Sequence, residues 1–91
     1  MTLLQLRYFQ TLAQTLHYTR AAELLHISQP SLSYAIGELE KELDVRLFEK
    51  DHRKVSMTVY GQQFLPYVER TLSGLKEGPD LRKSMTSNAP Q

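Results

Sequence analysis

The sequence predicts a mainly α-helical domain that carries one short β-hairpin. Four segments repeat apolar residues at helical spacing, N-capping residues precede these segments, and one alternating stretch surrounds a polar turn. The chain of 91 residues has 41% hydrophobic and 23% charged content, which suits one domain with a modest core. The predicted order is three helices, a hairpin and a long fourth helix.

The first two helices are predicted from their caps and apolar spacing. Thr2 and Gln5 form a capping box before a first helix over residues 3–15. Thr19 is expected to cap a short second helix. The residues at apolar helical positions are Leu6, Phe9, Leu12, Ala13 and Leu16 in the first helix and Ala21, Ala22, Leu24 and Leu25 in the second.

The third helix is predicted to follow Ser28, its N-cap, with Pro30 in the first turn, where a missing N–H costs no hydrogen bond. Its first half bears no charge. At about 100° per residue, Tyr34 points away from the core face of the helix, and Gly37 keeps that outward side low. The core stripe consists of Leu32, Ile36, Leu39 and Leu43, and the neutral polar surface consists of Ser28, Gln29, Ser31, Ser33 and Tyr34.

A β-hairpin is predicted after the third helix. Residues 45–50 and 54–57 alternate in polarity around the turn at 51–53, so the hairpin has a basic tip at Arg53 and Lys54. Two helices joined by a tight turn, followed by a hairpin and a long helix, make a winged helix-turn-helix.

The fourth helix is expected to begin after Thr58 and to carry an apolar seam with the spacing of a coiled coil. Pro66 lies inside it and is expected to cost a hydrogen bond or cause a kink. Gly78 and Pro79 are expected to end the helix, and residues 80–91 to form a loose linker. The seam consists of Leu65, Val68, Leu72 and Leu75, widened by Tyr60 and Phe64.

Several function classes are excluded or disfavoured by the sequence. There is no cysteine, and His17, His26 and His52 are isolated, so we expect no metal site. No nucleophile elbow, phosphate-binding glycine loop or cofactor fingerprint is present, so we expect neither an enzyme nor a cofactor. No apolar run approaches membrane-spanning length, and we expect a cytoplasmic protein without a membrane partner.

The predicted fold and its polar residues suit double-stranded DNA. A helix fits the major groove, where Gln29 can bond an adenine and serine hydroxyls can contact base edges. The net charge is only +1, yet residues 52–57 carry two basic side chains and no acid. Residues 38–51 carry six acidic and three basic side chains, and Glu38, Glu40, Glu42 and Asp44 are expected to form a solvated face that repels misplaced DNA.

Residues 1–65 resemble the N-terminal domain of the LysR-type transcriptional regulators of bacteria. The resemblance is carried by LRYF (6–9), YTRAAELLHISQPSLSYAIGELEKEL (18–43), VRLFEK (45–50) and MTVYG (57–61). It implies a winged helix-turn-helix domain over 1–58, with the helix-turn-helix at 18–37 and the recognition helix at 28–43. It also implies a linker helix over 59–77 that pairs antiparallel with its twin, a flexible tail over 78–91, and an effector-binding domain that this chain lacks.

The resemblance and the residue patterns together define the expected partners and sites. The partners are a near-palindromic DNA operator at the bacterial nucleoid and a second copy of the chain. A small-molecule effector would act only through the absent domain. The expected DNA-binding residues are Arg20, Ser28, Gln29, Pro30, Ser31, Ser33, Tyr34, Arg53, Lys54 and Thr58, and the expected dimerisation residues are Phe64, Leu65, Val68, Leu72 and Leu75.

Two positions depart from the family pattern. Tyr34 replaces the usual arginine, which predicts a shifted site preference and a shallower salt dependence, although an exposed amphipathic side chain explains it equally well. Asp44 replaces the usual glycine after the recognition helix, so that helix end is expected to be capped less comfortably.

Several alternatives remain open from the sequence. The apolar seam of the fourth helix could pack on its own domain, and Arg53 and Lys54 could form a solvated turn. The Gln and Ser side chains at the start of the third helix could serve ordinary helix-start chemistry alone. Arg20 either contacts phosphate or pairs with Glu23. The chain as a whole could be a protein–protein module that pairs through helix 58–76, with an idle helix-turn-helix. Non-specific architectural DNA binding is a further alternative, and the small net charge argues against it.

Overall fold

The computed structural model describes residues 1–77, which form four helices and one antiparallel hairpin. The elements are α1 (Leu3–Thr15), α2 (Tyr18–Leu25), α3 (Gln29–Leu43), β1 (Phe48–Asp51), β2 (Lys54–Met57) and α4 (Val59–Glu77). This confirms the predicted mainly α winged helix-turn-helix. The predicted helix stop at Gly78 and Pro79 and the predicted tail over 80–91 lie outside the described residues.

The caps predicted for α1 and α3 are confirmed. Thr2 Oγ1 accepts a hydrogen bond from the backbone N–H of Gln5 at 3.1 Å, and Gln5 Oε1 accepts from the N–H of Thr2 at 3.0 Å. Ser28 Oγ accepts from the N–H of Ser31 at 3.2 Å, so α3 begins where predicted. Each contact satisfies a backbone donor that the helix itself leaves unpaired.

The prediction that Thr19 caps α2 is wrong. The helix already begins at Tyr18, and His17 is its N-cap: His17 Nδ1 accepts from the backbone N–H of Arg20 at 3.1 Å. The imidazole nitrogen here takes the role that Ser, Thr, Asp or Asn usually fills, and for that reason the sequence pattern points to the wrong residue.

The core is centred on Phe9, whose side chain is completely buried. Its ring centroid lies 5.4 Å from that of Phe48 and 5.1 Å from that of Phe64, so α1 is joined to both the hairpin and α4. The predicted core face of α3 is confirmed, while Leu16 and Leu24 are exposed rather than buried. The buried residues are Leu6, Phe9, Leu12, Ala13, Ala21, Ala22, Leu32, Ile36, Leu39, Leu47, Phe48, Val55 and Val68.

The hairpin pairs Phe48 with Met57 and Asp51 with Lys54, so only His52 and Arg53 form the turn. Their φ angles are 48° and 71°, as in a primed two-residue turn, which matches the twist of the flanking strands. Strand β1 is shorter than predicted because residues 45–47 form hydrogen bonds to α3 and to Thr58 instead of to β2.

Helix α3 ends at Leu43 and is capped by Asp44, which adopts the left-handed conformation with a φ of 58°. Glycine adopts this conformation without a steric penalty, whereas a Cβ makes it unfavourable. The position that lacks the usual glycine is therefore left-handed, with its backbone N–H bonded to the carbonyl oxygens of Glu40 and Lys41, and the less comfortable cap stays a prediction.

Helix α4 packs its first half against α1 and the hairpin, and Pro66 does not end it. Val68 is completely buried, Leu65 and Leu72 are half-buried, and Leu75 is exposed. In residues 1–77, no helix has both the length and the apolar character required to cross a membrane.

Candidate nucleic-acid interface

The first turns of α3 expose neutral polar side chains, as predicted. Ser28 Oγ donates to Ser31 Oγ at 2.8 Å, which leaves the Ser31 hydroxyl hydrogen free. Among the residues that the structure describes, no hydrogen bond occupies the side chains of Gln29, Ser33 or Tyr34, and Tyr34 is 71% exposed. This surface therefore keeps its hydrogen-bonding capacity for a partner.

The outward side of α3 is also sterically open. A Cβ built at Gly37 would meet no atom within 4 Å, so a partner can approach the helix backbone closely at this point. A shallow depression runs from Tyr34 past Gly37 to Asp44 and Arg46. The neutral half of the helix and its charged half thus share one continuous exposed side.

A cleft separates the start of α3 from strand β1 and brings several predicted and unpredicted residues together. Gln29 and Ser33 lie on its helix side, and Lys50 lies on its strand side. Sequence reasoning missed Lys50, although strand alternation contained the signal: Lys50 shares a strand face with the buried Phe48, which points towards the helices. The complete lining is Tyr18, Gln29, Ser33, Arg46, Phe48, Glu49 and Lys50.

Tyr18 is a second cleft residue that sequence reasoning did not single out. Burial raises the pKa of its phenol, the Glu40 carboxylate raises this pKa further, and Arg46 lowers it. The phenol therefore stays protonated well above neutral pH. Tyr18 offers a hydroxyl donor and acceptor in the cleft beside Gln29 and Ser33.

The hairpin tip carries the predicted basic side chains, Arg53 and Lys54, both exposed. Arg53 has a φ of 71°, where a non-glycine residue costs roughly 1–2 kcal/mol. The two-residue turn requires positive φ at both His52 and Arg53, and it leaves the Arg53 side chain exposed at the tip. Arg20 is also exposed, and within residues 1–77 it forms no ion pair with Glu23.

The Thr58 hydroxyl is already used within the chain, and its predicted DNA contact stays a prediction. Its hydroxyl donates its one hydrogen to the carbonyl oxygen of Arg46 and accepts from the backbone N–H of Gly61 at 3.1 Å. Phosphate oxygens at neutral pH mainly accept hydrogen bonds, so a hydroxyl whose hydrogen is already donated has little to offer them. We therefore assign Thr58 to the cap of α4 and to the contact with Arg46.

The prediction of a uniformly solvated acidic face on α3 is wrong for Glu40. Its side chain is only 14% exposed, and its Oε2 accepts from the backbone N–H groups of Leu47 at 2.6 Å and Phe48 at 3.2 Å. Glu42 pairs with the N-terminal amine of Met1. No group of three or more His, Cys, Asp or Glu side chains in residues 1–77 is arranged to hold a metal ion.

The five residues predicted to mediate dimerisation have different environments. Val68 belongs to the core, and Phe64 packs on Phe9, whereas Leu75 is 56% exposed. Tyr67, which the sequence analysis did not include, is 62% exposed and stacks on Phe64 with 6.3 Å between ring centroids. These rings border an open apolar groove lined by Leu43, Val45, Leu47, Tyr60, Gln63, Phe64 and Tyr67.

Known proteins share both the sequence and the geometry of this region. The model of the family described as "Bacterial regulatory helix-turn-helix protein, lysR family" matches residues 3–62. The HTH-type transcriptional regulator IlvR of Caulobacter vibrioides is 42% identical over 85 residues, which cover 93% of this chain and 29% of IlvR. The Hca operon transcriptional activator HcaR of Escherichia coli is 54% identical over 65 residues, which cover 71% of this chain and 22% of HcaR.

Two solved structures match nearly the whole chain. The BenM_DBD/catB site 1 DNA complex has a TM-score of 0.87 and 37% identity, covering 96% of this chain and 97% of that one. The CbnR_DBD–DNA complex has a TM-score of 0.80 and 33% identity, covering 99% and 98%. This chain spans less than a third of the length of IlvR or HcaR. The family match and the shared fold show that the chain belongs to the lysR family of bacterial regulatory helix-turn-helix proteins.

Proposed function

We propose that this chain is a DNA-binding domain that recognises a specific double-stranded sequence as a homodimer and regulates transcription. The observation that carries the proposal is the cleft in which the unoccupied Gln29 and Ser33 side chains face Lys50 of the hairpin. The similarity to two domains solved with DNA supports it. The role is one of binding rather than catalysis, exerted in the bacterial cytoplasm at the nucleoid, without a cofactor or a membrane.

In this proposal α3 enters the major groove. Gln29 bonds an adenine bidentately, and the Ser31 and Ser33 hydroxyls contact base edges, while Pro30 and Tyr34 offer apolar contact to thymine methyl groups. The N–H groups and the dipole at the start of α3, next to Ser28, favour a nearby phosphate.

Basic side chains at three places position the domain on the DNA backbone. Arg20 extends from α2, while Arg53 and Lys54 extend from the hairpin tip to a phosphate or into the minor groove. Lys50 adds a charge between them in the cleft. Phosphate contacts of this kind fix the register of the protein and leave sequence reading to α3.

Homodimerisation is proposed through α4, paired antiparallel with α4 of a second copy. The proposed contacts are Leu65, Leu72 and Leu75 with Phe64 at the edge, and Val68 is left out because it is buried within its own chain. Residues 1–58 would then bind one half-site and residues 59–77 would set the spacing between half-sites. A small-molecule effector would act only through residues outside this domain.

Selection from a random duplex library tests the proposal directly. The purified chain is incubated with the library at moderate salt, and the retained duplexes are sequenced. We expect an enriched motif with dyad symmetry, because two copies of α3 would read two half-sites. The absence of any enriched motif would contradict sequence-specific binding and favour the protein–protein alternative.

Salt titration of the selected duplex then tests the role of the hairpin tip. The logarithm of the affinity should fall with the logarithm of salt concentration by about 0.9 per phosphate neutralised. Arg53→Ala should reduce that slope by about one. Arg53→Gly should reduce it equally while raising the free energy of unfolding by about 1 kcal/mol, because glycine tolerates the positive φ. Arg7→Ala, on the exposed side of α1, is the matched control.

A further inference from the structure

The segment between α3 and β1, residues 44–47, is bound to the helices on both sides; we call it the connector. On the α3 side, Glu40 Oε2 accepts from the N–H groups of Leu47 and Phe48 and lies 3.5 Å from Nε of Arg46. On the α4 side, the Thr58 hydroxyl donates to the Arg46 carbonyl, and the Thr58 N–H donates to the Leu47 carbonyl at 3.0 Å. The connector therefore has few free backbone groups.

On its α4 side the connector lies closer to Gly61 than any side chain at that position would permit. A Cβ at Gly61 would lie 2.3 Å from the carbonyl oxygen of Leu47, a distance that real contacts do not reach. Only glycine at position 61 lets the connector lie this close to α4, and the hydrogen bonds to Glu40 hold its other side to α3. Its position is thus determined from both sides.

The connector leads directly into the hairpin, whose orientation must be set at its base. An isolated two-stranded hairpin is at best marginally stable, so its orientation depends on its attachments, which are the buried Phe48 and Val55 side chains and the connector. At ~3.3 Å per strand residue, the tip lies ~13 Å from Phe48, and a rotation of ~10° at the base moves it by ~2 Å. Such a shift exceeds the tolerance of a hydrogen bond, and Arg53 would lose a phosphate contact.

We infer that Glu40 is a positioning residue for DNA recognition, which holds the hairpin tip at a set distance from the start of α3. It does so through charge-assisted hydrogen bonds to the first backbone N–H groups of the hairpin. Glu40 itself need not touch DNA. This inference rests on the proposed DNA-binding function.

The first test is the affinity of Glu40→Gln for the selected duplex. Removing a negative charge by itself strengthens binding to a polyanion, whereas a displaced hairpin weakens it, so the two effects have opposite signs. We expect Glu40→Gln to weaken binding about as much as Arg53→Ala does. Glu38→Gln is the matched control, with the same charge change one half-turn earlier on α3, and it should bind equally well or more tightly.

The second test is a double-mutant cycle between Glu40 and Arg53. If Glu40 acts by positioning the hairpin, Arg53→Ala should reduce the salt slope by about one in the wild-type chain and by much less in Glu40→Gln. If Glu40 only stabilises the fold, Arg53→Ala should reduce the salt slope fully in both the wild-type and the Glu40→Gln chains. Each variant is measured at a temperature at which circular dichroism shows that it is folded. Additive effects would therefore overturn the inference.

Two further comparisons cover the cases in which Glu40→Gln does not fold or the proposed function itself fails. Glu40→Asp retains the charge but shortens the side chain by one methylene. If Glu40→Gln does not fold, the double-mutant cycle between Glu40→Asp and Arg53→Ala tests the positioning role in its place. If Gln29→Ala and Arg53→Ala leave binding of the wild-type chain unchanged, the proposed function itself fails. If both weaken binding while Glu40→Gln behaves as Glu38→Gln does, only the present inference fails.

Discussion

The two halves of α3 use their polar side chains in opposite ways. In the first half, Gln29, Ser33 and Tyr34 are exposed and make no hydrogen bonds within the described residues. In the second half, Glu40 is mostly buried and its carboxylate is occupied by the N–H groups of Leu47 and Phe48. Both halves share one buried stripe that anchors the helix.

In the proposed function, the first half of α3 is the recognition half, which contacts DNA. The second half is the attachment half, which holds the hairpin. A side chain that already forms internal hydrogen bonds would have to break them to contact a base, whereas an unoccupied one exchanges only water. The chain therefore leaves the first half of α3 unoccupied and uses the second half to hold the hairpin. Variants confined to one half of α3 test whether the two halves have separate roles in binding and folding.

The largest expected effect is on the shared buried stripe. Leu39 is completely buried, and Leu39→Ala should lower the free energy of unfolding by about 2–5 kcal/mol, measured by chemical denaturation. Tyr34→Ala, at the 71% exposed outward position, should change it by no more than about 0.5 kcal/mol. Equal losses for the two variants would mean that the outward side of α3 also contributes to folding.

The next effect belongs to the recognition half. Gln29→Ala should weaken binding to the selected duplex by about 1–3 kcal/mol and relax the preference at one position of each half-site. Unfolding should be unaffected because the side chain is exposed. Competition with half-site variants measures the preference, and Gln14→Ala, an exposed glutamine on α1, is the control. An equal loss on all sequences would contradict base reading by Gln29.

A smaller effect is expected at the end of the attachment half. Asp44→Gly should raise the free energy of unfolding by about 1 kcal/mol, because glycine adopts the φ of 58° at this cap without strain. Asp44→Ala removes the same charge but keeps the Cβ, so it should show no such gain. A gain of equal size in both variants would point to charge rather than backbone conformation as the cause.

The smallest effect concerns the neutral character of the recognition half. Tyr34→Arg should make the salt dependence of binding steeper by about one in the logarithmic slope, since an added cation can neutralise one more phosphate. Gln14→Arg adds the same charge outside the candidate interface and should leave the slope nearly unchanged. If both variants steepen the slope alike, Tyr34 does not lie near phosphate.

Local patterns predicted those parts of the fold that depend on neighbours in sequence. The Thr2 capping box, the Ser28 cap and the buried stripe through Leu39 are all confirmed. Each involves residues within one or a few helical turns, where spacing alone determines which atoms meet.

The long-range contacts that the sequence did not predict join residues for which sequence spacing holds no rule. The Thr58 hydroxyl bonds a carbonyl 12 residues away, and the Glu40 carboxylate bonds N–H groups seven and eight residues ahead. The His17 cap is different, because it is a local contact three residues long that the pattern missed only because histidine is an unusual N-cap residue. The polar cleft also depends on tertiary packing, since Lys50 comes close to Tyr18 and Gln29 only when the hairpin packs beside α3.

The helices, the hairpin, the family and the neutral exposed surface at the start of α3 were all predictable, because each depends on the order and spacing of nearby residues. Only the tertiary structure decided which polar groups remain free for a partner. Glu40 and Thr58 look as available as Gln29 in the sequence, yet backbone groups of the connector occupy them. A side chain's hydrogen-bonding capacity is local, but whether it is already used depends on what the fold brings within about 3 Å.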